Sequence, residues 1–183
     1  MKKVTRSELL RNLATTGIDR LASAVEKRVE SFTSANPRPP WALEETKFIG
    51  TCENCRTCGG YCPRGIITYH GNSGRLAAGT PFLDFSEDYC DFCGECVKVC
   101  PSGALSFNEG KKEIGTARLD AALCSNGEDN APPCRSCIDA CPEGAFATGE
   151  QGIPLVSSDR CNGCGACIPA CPEAALIIRR ALF

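Results

Sequence analysis

Sixteen of the 183 residues are cysteine, and their spacing is regular. Cys52, Cys55, Cys58 and Cys62-Pro63 make a C-x2-C-x2-C-x3-C-P run, repeated at Cys90, Cys93, Cys96, Cys100-Pro101 and at Cys161, Cys164, Cys167, Cys171-Pro172. The third motif in chain order, Cys124, Cys134, Cys137 and Cys141-Pro142, keeps the last three spacings but carries Ser125 to Pro133 after its first cysteine. After each proline the chain resumes similarly, with Arg64-Gly65-Ile66, Ser102-Gly103-Ala104, Glu143-Gly144-Ala145 and Glu173-Ala174-Ala175, so these are true internal repeats. A tight loop with a thiolate at every third residue can offer three sulfur atoms to one polynuclear iron centre. The proline-flanked last cysteine then ligates the other cluster of a pair. Two-cluster units of eight cysteines use all sixteen, so all sixteen are expected to be metal ligands and four [4Fe-4S] clusters are the expected cofactors.

Pairing neighbours puts Cys52, Cys55 and Cys58 with Cys100, and Cys90, Cys93 and Cys96 with Cys62. In the second half Cys124, Cys134 and Cys137 join Cys171, and Cys161, Cys164 and Cys167 join Cys141. Pairing the first motif with the fourth and the second with the third stays open at this stage. Cys124 is the weakest of the sixteen, because the segment from Ser125 to Pro133 must fold back to bring it beside Cys134.

Other uses of so many cysteines fit less well. Disulfides require an oxidising compartment. The N-terminal Met1-Lys2-Lys3 starts like a signal peptide, but Asp19, Arg20, Glu26, Lys27 and Arg28 interrupt any apolar region after it. A twin-arginine address would have Ser7 where its second arginine belongs. No apolar stretch of about 18 residues is present to suggest a transmembrane segment. The expected location is therefore cytoplasmic. Zinc sites bring two C-x2-C knuckles or histidine partners, and the chain has one histidine, His70. A net charge of -2 gives no basic footprint for nucleic acid.

The elements that must position these loops are short. Ile66 to Tyr69 and Pro154 to Val156 lean towards strand, with glycine-rich turns at Gly71 to Gly74 and Gly149 to Gly152, and they read as hairpin arms beside the clusters. The expected class is α+β: two tandem units resembling bacterial 2[4Fe-4S] ferredoxins, over residues 48–112 and 113–183. Gly59, Gly94 and Gly165 follow ligands and would allow close approach to a cluster, while Arg56 and Arg135 hold the analogous place in two loops. Residues 1–47 form a third region, with an amphipathic helical segment over residues 7–32 begun by Ser7 and carrying Leu10, Leu13, Leu21, Val25 and Val29, then a proline-rich strap. Residues 1–50 hold nine Lys and Arg against six Asp and Glu, so a basic end adjoins an acidic cluster region. Trp41, the one tryptophan, is expected to anchor the strap.

The Arg38-Pro39-Pro40-Trp41 element, a cysteine motif soon after it, and a third motif ending Cys134-Arg135-Ser136-Cys137 behind an insertion resemble the NapF-type ferredoxins, accessory proteins of periplasmic nitrate reductase systems. The resemblance runs nearly the whole length; Ser7, where the family has a paired arginine, and the long segment from Gly71 to Pro81 depart from it. It implies a cytoplasmic electron-transfer protein acting on the catalytic subunit of a molybdoenzyme before export. The alternative is an electron-transfer subunit of a cytoplasmic oxidoreductase such as a formate dehydrogenase or hydrogenase. Either way the partner is a redox protein and the chain is a carrier, not an enzyme, passing one electron at a time at potentials of roughly -300 to -500 mV.

Overall fold

Proline-flanked cysteine loops leave little chain for regular structure, and the elements are correspondingly brief. A computed structural model describes residues 36–71, 76–127 and 133–180. Among them are four helices, α1 (Glu45–Thr51), α2 (Thr57–Gly60), α3 (Glu95–Lys98) and α4 (Ser136–Asp139). Six strands accompany them: β1 (Ile67–Tyr69), β2 (Pro81–Leu83), β3 (Gly115–Leu119), β4 (Phe146–Thr148), β5 (Pro154–Val156) and β6 (Leu176–Arg180). The helix expected over residues 7–32 lies outside the described residues.

The strands make three antiparallel pairs, β1 with β2, β4 with β5, and β3 with β6. In the second half the order is β3, motif three, α4, the β4–β5 hairpin, motif four, β6. The outer strands close over the unit with Thr116 opposite Arg179 and Leu119 opposite Leu176. The first half follows the same plan. Motif one, the β1–β2 hairpin and motif two are flanked by Ala42 and Leu105, whose single antiparallel bridge replaces the five-residue outer ladder. The ladder fails for a local reason: Pro37, Pro39 and Pro40 have no N–H to donate, and Trp41 sits at φ +59, out of the extended region. The expected hairpin arms are thus present at Ile67–Tyr69 and Pro154–Val156.

The strap is built into the core. The described residues, from Asn36 onward, belong to one compact unit. Trp41 N–H donates to the Lys111 carbonyl at 2.6 Å, its own carbonyl accepts from Ser106 N–H at 2.9 Å, and its ring stands edge-on to Phe107 at 4.9 Å. Arg38 is 3% exposed. Its guanidinium grips Glu45 through two bonds of 3.0 and 2.8 Å, donates to Thr80 Oγ1 and the Pro81 carbonyl, and lies 4.8 Å over the Phe48 ring. Arg180, at the end of β6, pairs with the same Glu45 carboxylate. One buried carboxylate therefore joins the strap, α1 and the last strand. Burial would lower the Arg180 pKa, and its Glu45 partner opposes that.

The two halves meet through their even-numbered motifs. Cys90 N–H donates to the Cys164 carbonyl at 2.8 Å. A Cβ on Gly165, which has φ +87, would come within 2.3 Å of the Phe85 ring, so only glycine fits there. Removing one member of a buried ion pair strands the others without a counter-charge. Glu45→Ala should cost about 3–5 kcal/mol, read as a lowered denaturant midpoint under anaerobic conditions; a loss below about 1 kcal/mol would show that the two arginines find other partners.

Candidate metal centre

Three of the four motifs present a C-x2-C-x2-C loop whose backbone reverses on both sides of its middle cysteine. Asn54 and Arg56 flank Cys55, Phe92 and Gly94 flank Cys93, and Gly163 and Gly165 flank Cys164, all six at positive φ. That double reversal turns three successive thiols towards one centre. Non-glycine residues there cost about 1–2 kcal/mol each, so the loops at Asn54, Arg56 and Phe92 hold strain that the surrounding contacts must offset. Motif three cannot use this geometry on its N-terminal side, because Pro133 precedes Cys134 and its ring fixes φ negative.

The thiols gather in fours. One small cavity is lined by Cys52, Cys55, Cys58 and Cys100. A second is lined by Cys62, Cys90, Cys93 and Cys96. Cys124, Cys134, Cys137 and Cys171 line a third. Cys141, Cys161 and Cys164 stand near enough to Cys167 for their charges to act on it. These quartets follow neighbour pairing, with each Cys-Pro thiol delivered to the other motif's loop. The arrangement of first motif with fourth and second with third is not what the chain adopts. Among the described residues no three Cys, His, Asp or Glu side chains close on a single metal ion; the thiols instead stand around a volume.

Side chains beyond the cysteines fix two of the donated thiols, Cys62 and Cys141. Arg64, two residues after Cys62, bonds Asp91 at 3.2 Å and Asp88 at 3.4 Å in the receiving loop, and lies 4.6 Å over Tyr89. Asp91 in turn accepts from Cys93 N–H at 3.1 Å. Burial would raise the Asp91 pKa, but the bonds from Cys93 and Arg64 hold it below the usual value. The second half repeats the device with different residues: Asn162 donates to Glu143, two residues after Cys141, at 2.8 Å and accepts from Cys164 N–H at 3.0 Å. Arg160 adds a bond to the Glu143 carbonyl at 3.0 Å.

Backbone donors reach the sulfur atoms. Leu105, Ala145 and Ala175 N–H groups point at Cys100, Cys141 and Cys171 at 3.5, 3.3 and 3.4 Å, and Ala117 N–H points at Cys161 at 3.3 Å. Such donors stabilise thiolate charge and tune a bound cluster. Burial pushes the bare Cys90, Cys96 and Cys167 thiols up to about 12 and Cys137 to about 11. Bonds from Thr57 and Ser136 pull the exposed Cys55 and the half-buried Cys134 down. Buried thiolates crowded in fours repel one another, and a cationic metal core is the group that relieves that repulsion. The donor set, its grouping in fours around shared cavities and the N–H groups together fit a sulfur-ligated iron cluster.

Tyr69 has a part in the first loop that cysteine spacing gave no hint of. Its hydroxyl accepts from Gly59 N–H at 3.0 Å, donates to the Arg56 carbonyl at 2.7 Å and lies 3.9 Å from Cys58 Sγ. Burial, then the Cys58 charge, raises its pKa to about 12. A Cβ at Gly59 would sit 2.2 Å from that hydroxyl, so it is Tyr69 that demands glycine here. Arg56 is exposed and stacks 5.3 Å over the Tyr69 ring, while Arg135 is exposed and pairs with Asp139. His70 stacks on Phe82 at 4.4 Å within the first hairpin.

The 4Fe-4S dicluster domain matches three overlapping stretches, residues 51–104, 89–145 and 132–175. The chain belongs to the 4Fe-4S dicluster family of ferredoxin-type proteins. The first match spans the first geometric pair and the last spans the second apart from Cys124; the middle one spans motifs two and three, which share no quartet. The chain is 33% identical over 133 residues to the ferredoxin-type protein NapF of Escherichia coli K12, covering 69% of this chain and 74% of that protein. It is 30% identical over 119 residues to NapG of the same organism, and 35% over 128 to the methylamine utilization ferredoxin-type protein MauM of Methylorubrum extorquens. The matches span 49% of NapG and 58% of MauM. As a member of this family the chain is an iron-sulfur, electron-transferring protein with [4Fe-4S] clusters. Among the described residues no helix is long and apolar enough to cross a membrane.

Of the side chains beyond the cysteines, the Asx residues after Cys90 and Cys161 were open to discovery, since Asp and Asn form local turns of this kind. Tyr69→Phe would leave Gly59 N–H and the Arg56 carbonyl without their partner, at a cost of about 1–3 kcal/mol. The expected readout is earlier bleaching of visible absorbance in a denaturant series; an unchanged midpoint would show that the hydroxyl contributes nothing to the first site.

Proposed function

We propose that the chain carries four [4Fe-4S] clusters, ligated by Cys52, Cys55, Cys58 and Cys100; by Cys62, Cys90, Cys93 and Cys96; by Cys124, Cys134, Cys137 and Cys171; and by Cys141, Cys161, Cys164 and Cys167. The observation that carries this reading is the gathering of the sixteen thiols into four quartets with none left over. When bound, each cluster takes up and releases one electron between its 2+ and 1+ states. The protein holds the thiols as ligands, keeps water from the buried ones, aims N–H donors at sulfur and spaces the centres. It has no catalytic residue in this scheme.

The role is that of a cytoplasmic accessory protein that meets the catalytic subunit of a molybdoenzyme, a nitrate reductase, before export and supplies it with electrons. NapF supports this choice because the likeness to it extends over most of both chains. The strap with Arg38 and Trp41, which suggested the resemblance, is structural in this protein, so it is not offered as the docking element. The three regions at residues 1–47, 48–112 and 113–183 remain the proposed organisation. In it the basic first region is assigned the role of meeting the partner, while residues 36–47 also serve as the outer edge of the first ferredoxin unit.

Anaerobically purified protein should contain about sixteen irons and sixteen labile sulfides per chain; a reproducible value near eight would overturn the four-cluster assignment. Cys62→Ser should damage the cluster held by Cys90, Cys93 and Cys96, seen as the loss of one component in the electron paramagnetic resonance spectrum of the reduced protein. Mass spectrometry of what co-purifies from anaerobic cells should recover a molybdoenzyme precursor that still has its signal peptide. A mature cytoplasmic oxidoreductase in equal amount would make the chain a standing electron-transfer subunit instead.

A further inference from the structure

The insertion in motif three separates Cys124 from Cys134 by nine residues where the other loops have two. Cys124 nonetheless lines the same cavity as Cys134, Cys137 and Cys171. A 3-10 turn over Ser125–Gly127 follows Cys124, closed by Gly127 N–H on the Cys124 carbonyl at 2.9 Å. From this turn the Asn126 side chain reaches across the gap. Its Oδ1 accepts from Cys134 N–H at 2.7 Å, and its Nδ2 donates to the Cys134 carbonyl at 2.8 Å and to the Gly152 carbonyl at 2.7 Å. Both polar groups of the Cys134 backbone are thereby held by one side chain.

Two uninterrupted loops have the same contact in local form. Asp91 Oδ1 accepts from Cys93 N–H and Asn162 Oδ1 accepts from Cys164 N–H, each from the residue directly after the first cysteine. In those loops the side-chain oxygen sets the middle cysteine relative to the first. Motif three has lost that adjacency, and its middle cysteine lacks the positive-φ residue before it that the other loops use. Asn126 supplies the missing acceptor from the first side of the insertion and adds two donated bonds.

We propose that Asn126 is the positioning residue of the third centre: it clamps Cys134 to the turn after Cys124, so that an interrupted motif still presents its first two thiols to one cluster. This rests on the four-cluster reading above. A purely structural role would weaken the whole chain alike; the clamp acts on one site.

The test uses the full chain, purified anaerobically as wild type, as Asn126→Ala, and as a variant in which residues 125–133 are replaced by the Asn-Gly pair found between Cys161 and Cys164. Iron and sulfide are counted, and the reduced proteins are compared by electron paramagnetic resonance. The expected result is about sixteen irons in the wild type, about twelve in Asn126→Ala with one spectral component lost, and about sixteen again in the shortened chain. If Asn126→Ala keeps its full iron and resists a chelator as the wild type does, the inference is overturned while the four-cluster reading stands. If Asn126→Ala falls well below twelve, the residue supports the fold at large and the local role is likewise overturned. If the wild type itself carries about twelve, the four-cluster reading fails first and this inference with it.

Discussion

A loop with a cysteine at every third residue can turn three sulfur atoms towards one point, and the fourth must be brought from another part of the chain. Most of the architecture answers to that constraint. Each motif lends its proline-flanked thiol to its neighbour, so neither site of a pair is complete without the other loop. The secondary structure is too brief to enforce this by itself: among the described residues three helices have four residues and four strands have three. Isolated helices and hairpins of that length are not stable in water. The cross-links between loops do the positioning, and they are polar. Arg64 binds Asp91 in one half and Glu143 binds Asn162 in the other, different chemistry at corresponding places.

The two halves differ most at their outer edges. In the second half β3 and β6 pair over five residues, whereas in the first the prolines of the strap reduce the equivalent ladder to the Ala42–Leu105 bridge. The buried Arg38, Glu45 and Arg180 cluster stands beside that shortened edge and connects it to the end of the longer one. Such a network is a weak source of net stability, because desolvating the ions costs about as much as their attraction returns. Its directional bonds do define where the strap lies, which five consecutive residues with three prolines and one left-handed tryptophan would leave loosely specified.

Much of the site was legible in the cysteine spacing. Four sets of four, the exchange of the Cys-Pro thiol and the short hairpins all follow from the repeat and from ligand geometry. The choice between neighbour pairing and the alternative was not, because both use the same sixteen residues; it depends on which loops the hairpins bring together. The burial of Arg38 was also out of reach. A lone arginine in a proline-rich segment reads as solvated, and its carboxylate partner Glu45 looks like any acidic residue opening a helix. Tyr69 was hidden for the same kind of reason: it belongs to a strand by pattern, and its hydroxyl finds Gly59 and Arg56 only once the hairpin has folded over the loop. The β3–β6 pair joins segments about sixty residues apart, and no local signal announces such a partner.

The insertion in motif three shows how a metal-site motif can be broken without losing its geometry. Lengthening the closed segment from two residues to nine raises the entropy cost of bringing Cys124 and Cys134 together by about 1.3 kcal/mol, at about 0.6 kcal/mol per doubling. Three hydrogen bonds from Asn126, at a net of about 0.5–1.5 kcal/mol each, are large enough to offset that cost. Two of them also act in the right place, since they hold the backbone of the very cysteine that the insertion displaces, while the third ties the amide to Gly152. Close spacing in sequence is therefore not a necessary condition for the quartet; what the site requires is that something define the position of the second thiol relative to the first. In motifs two and four an adjacent Asx side chain does this, and in motif three an Asx side chain does it across the gap.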